Sequence, residues 1–139
     1  MMEEVMKEEQ IRVVLVEPGK YARAAIIENS LAEHQRICDG WIQTCYPFEE
    51  MVCLVCNDEG KLNRMPLNRG IKDVETDEII DIIAGTFFIC DCSTENFGSL
   101  SEEQVDRYVE QFKKPERFYM IEDEIFSVTY EPKAKEMER

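Results

Sequence analysis

Six cysteines and one histidine are the side chains here best equipped for chemistry, and their spacing decides how much they can do. Cys53 and Cys56 have the C-x-x-C spacing of a zinc or redox site. They stand, however, in Met51-Val52-Cys53-Leu54-Val55-Cys56, an apolar run that reads as a strand. An offset of three sends side chains to opposite faces of an extended chain. A zinc knuckle usually needs a turn between its ligands, and no glycine is present there. Cys90 and Cys92 can share a face, but C-x-C is an uncommon half-site. The expectation is small thiols packed in a core, with no metal and no cofactor. His34 falls on a short helix without an obvious carboxylate to orient it, so a surface position is expected rather than a Cys–His nucleophile pair.

Carboxylates offer a second kind of chemistry. Asp73, Glu75, Asp77 and Glu78 invite comparison with an EF-hand, but the Asp-x-Gly spacing and the closing bidentate Glu are missing. No glycine-rich loop precedes a helix, so there is no phosphate cradle. With no catalytic motif above background, a non-enzymatic protein is expected.

Two groups of residues remain as contact candidates. Asn68 and Arg69 follow Pro66 in a segment read as a loop, where a small polar site or a structural loop clasp would both be at home. Glu103, Asp106 and Glu110 lie three and four residues apart on a helix, a rise of roughly 4.5–6 Å between neighbours. That spacing is comparable to successive phosphates on one DNA strand; the plain alternative is a solvated polar face.

The distribution of charge favours the acidic helix. Residues 11 to 72 hold eight acidic and eight basic side chains, whereas residues 73 to 110 hold eleven acidic ones and a single cation, Arg107. The whole chain carries −14. Such a segment repels nucleic acid and membranes and attracts basic proteins. A protein partner is therefore expected, basic or itself nucleic-acid-binding, with no direct nucleic acid and no membrane. The runner-up function is a small-ligand-binding or regulatory domain built on the loop around Asn68 and Arg69.

These residues must be positioned by a fold that 139 residues can supply as one domain. Ile11 to Val16 and Arg23 to Glu28 read as a hairpin over Glu17-Pro18-Gly19-Lys20. Ser30 and Glu33 match a capping box for a short helix that Gly40 terminates. Trp41 to Tyr46 and Met51 to Asn57 read as strands, and residues 62 to 75 as irregular. Ile79 to Ile83 and Thr86 to Cys90 are two strands, or one long strand bent at Gly85. A helix is expected over 102–114, with Ser101 and Gln104 as its capping box and Leu100 and Val105 as its hydrophobic staple. Val105, Tyr108, Val109 and Phe112 form its inner stripe, and Lys113 and Lys114 suit its C-terminal end. A last hairpin turns over Glu122-Asp123-Glu124. The class is α+β, a compact domain over 11–131 with a mostly antiparallel sheet and two helices. Residues 1–10 form a flexible acidic segment and 132–139 a flexible charged tail. Six cysteines without a secretion signal point to the cytoplasm.

Several blocks occur in a recognisable order: Val14-Leu15-Val16-Glu17-Pro18-Gly19-Lys20, Tyr46-Pro47-Phe48, Cys56-Asn57-Asp58-Glu59-Gly60-Lys61, Pro66-Leu67-Asn68-Arg69, Ile83-Ala84-Gly85-Thr86-Phe87-Phe88-Ile89 and Phe97-Gly98-Ser99-Leu100. Over about residues 10 to 119 their order and spacing resemble the domain of unknown function DUF3846. The resemblance implies a small cytoplasmic protein of Firmicutes-type bacteria, their phages or conjugative elements, often beside antirestriction genes and with no established activity. Two blocks depart from the pattern. Cys38-Asp39-Gly40-Trp41 stands where a Gly-Gly pair is typical, and Thr76-Asp77 where an Asp-Gly turn is expected.

Overall fold

β-branched and aromatic runs become strands in the computed structural model, which describes residues 9–132. In chain order the first elements are β1 (Gln10–Val16), β2 (Arg23–Glu28), α1 (Leu31–Cys38), β3 (Ile42–Cys45) and β4 (Val52–Asn57). There follow β5 (Leu67–Lys72), β6 (Ile79–Ala84), β7 (Phe87–Asp91), α2 (Glu102–Gln111), β8 (Glu116–Ile121) and β9 (Glu124–Thr129). Five strands make one antiparallel sheet in the order β2-β1-β7-β4-β3, and β5-β6 and β8-β9 are separate two-stranded ribbons. The fold is therefore α+β, with mostly antiparallel pairing and two helices.

β7 is the centre of the main sheet, with Leu15 of β1 opposite Phe88 on one side and Leu54 of β4 opposite Ile89 on the other. That position explains why Phe87, Phe88 and Ile89 stand in succession: both faces of the strand are covered. On β4, alternation sends Val52, Leu54 and Cys56 to the face beneath α2 and Cys53 and Val55 to the other, with Cys38 of α1. The C-x-x-C pair thus straddles the sheet, as its strand setting predicts.

α1 starts where Ser30 Oγ accepts from the Glu33 amide at 3.2 Å, but the Glu33 carboxylate turns forward to Arg36 instead of back to the cap. Half of the expected capping box is made. The helix stops one residue before Gly40, at Asp39 with φ 62°, because Asn57 Nδ2 donates to the carbonyls of Cys38 and Asp39, each at 3.0 Å. α2 has the full capping box, with Ser101 N donating to Gln104 Oε1 and Gln104 N to Ser101 Oγ. It ends at Gln111, short of the expected 114, and Lys113 and Lys114 lie beyond it.

One expectation about the strands is corrected. Residues 62–75 are not irregular throughout, since β5 pairs with β6 from Leu67 to Lys72. Pro66 precedes the strand instead of breaking it, and Gly70 is there to admit Phe118, whose ring a Cβ would meet at 3.3 Å. Of the two readings across Ala84-Gly85, two strands or one bent strand, the first holds: β6 and β7 lie in different sheets, with Gly85 turning the chain at φ 84°. The acidic run after β5 serves its turn: Asp73 Oδ1 accepts from the amides of Glu75 and Thr76, and Asp77 takes the left-handed position at φ 64°. The β8-β9 turn places Glu122 and Asp123 at φ 51° and 69°, as a tight two-residue hairpin requires.

Gln10, assigned from sequence to the N-terminal segment, is the first residue of β1 and pairs with Glu28. The flexibility expected at both ends falls largely on residues 1–8 and 133–139, outside the described residues. Among the described residues no helix is long and apolar enough to cross a membrane.

Candidate protein-contact surface

Polar residues on this fold divide by whether the backbone has already claimed them. Asn68 and Arg69 sit on β5, and the Arg69 side chain is wholly buried. Its Nε donates to the Phe112 carbonyl at 2.9 Å, Nη1 to Asn68 Oδ1 at 2.9 Å and Nη2 to the Lys20 carbonyl at 2.7 Å. Asn68 Nδ2 donates in turn to the carbonyls of Val16 and Gly85. The pair therefore ties β1, its following turn, the β6-β7 turn and the end of α2 to one strand. Burial draws the Arg69 pKa down to about 10, opposed by nearby Glu116 and Tyr130, so the guanidinium remains charged at neutral pH. A cation at the Phe112 carbonyl also complements the C-terminal end of the α2 dipole. Lys113 and Lys114 were expected there, and a residue more than forty positions upstream supplies it.

Glu103, Asp106 and Glu110 lie outward on α2 and are exposed, as is Glu102. Val105 and Tyr108 face the core, so the helix turns its acids away from the sheet. The cation of this segment, Arg107, is engaged elsewhere. It pairs with Glu50, which also accepts from Tyr108 Oη and, at 3.0 Å, from Gln104 Nε2. These bonds, led by Tyr108 and Gln104, hold the Glu50 carboxyl below the usual range. Burial, reinforced by Glu50, pushes the Tyr108 phenol up to about 12. The cluster fixes the loop before β4 against α2 and leaves the four outer carboxylates without an ion pair among the described residues. Glu50 gave no sequence signal, because its partners are more than fifty positions away.

The thiols are all free. Cys53 lies directly across from Cys90, with 3.7 Å between sulfurs in a buried layer. Burial pushes Cys38 up to about 12, whereas the half-buried Cys45 is drawn down to about 7 by its hydrogen bond with Cys56. Among the described residues no group of three or more His, Cys, Asp or Glu could hold a metal ion. His34 is not at the surface, as expected from sequence, but 5% exposed, with the rings of Phe88 and Phe97 about 5.3 and 5.4 Å away. Its Nε2 has no hydrogen-bond partner among the described residues, and burial lowers its pKa. The weakly apolar character of α1 concealed this, because the residues that cover His34 come from β7 and the segment after it.

Neither the curated proteins nor the solved structures contain a match to this chain. The family described as Domain of unknown function (DUF3846) matches residues 11–113, a span that runs from β1 to just past α2 and includes His34, Glu50, Asn68, Arg69, the six cysteines and the acids of α2. On that match, over most of its length, the chain belongs to the DUF3846 family.

Proposed function

We propose that this protein is a non-enzymatic accessory factor of bacterial or mobile-element origin, working in the cytoplasm by presenting the acidic face of α2 to a basic or nucleic-acid-binding protein. The observation that supports this reading is the set of exposed, uncompensated carboxylates at Glu103, Asp106 and Glu110, on a helix whose own cation is engaged by Glu50. A purely solvated face needs no such rigid setting. Here the capping box, the Glu50 cluster and the Arg69 clasp fix both ends of the helix, and so fix where its charges point. The other reading from sequence, a small ligand at Asn68 and Arg69, gains no support, since both side chains are sealed against backbone carbonyls.

The test is a double charge reversal, Asp106→Lys with Glu110→Lys, which avoids the N-terminal glutamates that help start the helix. Reversing one alone would create a new i, i+4 ion pair. Partner recovery from host extract is expected with the parent protein at low salt, to weaken at high salt and to vanish in the variant. Recovery indifferent to both salt and charge reversal would sink the proposal.

A further inference from the structure

The β8-β9 ribbon is anchored at one end and open at the other. Two strands alone are marginal in water, so the ribbon depends on what it packs against. Near its base, Phe118 fills the space over Gly70, the Gly70 amide donates to Glu116 Oε1 at 3.0 Å, and Arg117 lies 3.9 Å over the Tyr130 ring. Alternation places Met120 and Ile125, a directly paired couple, on the same face as Phe118. Yet they are 68% and 40% exposed, so the cover ends where the base ends.

Between this open end and the start of β6 lies a cleft of about 590 Å³. Ile79, Ile125 and Phe126 give it apolar walls, and Asp77, Glu78 and Glu124 outnumber one cation, Lys72, to give it a net acidic rim. Four consecutive residues, Glu124 to Ser127, line it, which means that the cleft meets β9 along its edge and not on one face. β9 pairs with β8 alone among the described strands, so that edge is free to accept another strand.

We propose that this cleft binds an extended segment of a partner protein in which apolar side chains alternate with basic ones. An incoming strand would continue the ribbon at β9, set its apolar side chains against Ile79 and Ile125, and bring its cations to the rim. Charge complementarity selects this occupant over a second copy, because a second copy would bring another −14 and the same acidic rim to the contact. One wall, β5-β6, lies within the family match and the other, β8-β9, lies beyond its end at residue 113. The site thus spans the edge of the matched unit and the ribbon that follows it, and no residue of the acidic face of α2 lines it.

The experiment titrates the full chain with a ten-residue peptide alternating lysine and valine, followed by amide chemical shifts and calorimetry. The shifts are expected to centre on Lys72, residues 77–79 and residues 124–127. Ile125→Ser with Phe126→Ser alters exposed positions and should leave the melting temperature near that of the parent while weakening the peptide about tenfold or more. Glu78→Lys with Glu124→Lys should weaken it comparably, and the equivalent glutamate–valine peptide should not bind. The Asp106→Lys, Glu110→Lys variant should bind the peptide as the parent does, which separates this site from the α2 surface. Shifts centred on α2, affinity unchanged by the serine substitutions, absence of binding, or a dimer that itself protects residues 124–127 would each overturn the proposal.

Discussion

The two faces of the central sheet are closed by different means. Beneath α1 the layer is rings, aliphatic side chains and thiols around His34, whose buried Nε2 has no partner among the described residues. Beneath α2 the apolar layer is framed by two directional polar clusters, Arg69 with Asn68 at one end of the helix and Glu50 with Gln104, Arg107 and Tyr108 along it. Apolar packing is tolerant of small rotations, whereas hydrogen bonds of defined geometry are not. α2 is consequently the helix whose orientation is specified, and it is also the helix that carries the free acids. α1 is placed by burial and by the Asn57 cap at its C-terminal end.

The sharpest way to break this contrast is Arg69→Ala. It would leave the carbonyls of Phe112 and Lys20 and the Asn68 side chain without their buried donor, at a cost of about 3–5 kcal/mol in urea denaturation. Arg69→Lys should recover only part of that, since an ammonium cannot reproduce three fixed directions. A fully stable alanine variant would show that the clasp is dispensable.

The α1 face should fail first on acidification. Burial holds the His34 pKa below its ordinary value near 6.5, so the unfolded chain takes up its proton more readily. Stability contributed by neutral His34 is present above about pH 6.5 and is lost as pH falls toward the lower folded pKa. His34→Leu should flatten the stability profile in that window. The Glu50 cluster has its own window. Its folded pKa is depressed, so its contribution persists above the ordinary carboxylate range and disappears only as pH drops beneath it. A profile in which Glu50→Gln removes the near-neutral slope, and His34→Leu does not, would reverse the assignment.

At neutral pH Glu50→Gln should cost about 1 kcal/mol or less, because the carboxylate is partly exposed and an amide retains some of its bonds. The smallest stability effect is expected for Asp106→Lys with Glu110→Lys, within about 0.5 kcal/mol for ordinary surface positions, despite its large expected effect on partner binding.

What could be read from sequence was local. Ser101 and Gln104 are three residues apart, and both hydrogen bonds of their capping box form. Cys53 and Cys56 were assigned to opposite faces from strand periodicity alone, and the sheet puts them there. What could not be read depends on distant chain. Arg69 is 43 positions from Phe112 and 49 from Lys20, so nothing near it indicates burial. β5 was obscured by Pro66, which precedes it, and by Gly70, whose setting comes from Phe118 in a ribbon nearly fifty positions later in the chain. His34 looked exposed because α1 is short and polar, and the rings that cover it lie beyond residue 87.

The central place of β7 has a consequence for the order in which the molecule can assemble. β1 with β2 and β3 with β4 can each pair locally, but β7 is the strand that joins the two pairs. A chain emerging from the ribosome therefore has no continuous sheet until Phe87 to Asp91 has been made, and no closure of α2 onto Arg69 until Phe112 follows. Until then its apolar strands lack their central partner, and the time between making β4 and making β7 is when this chain is most open to mispairing.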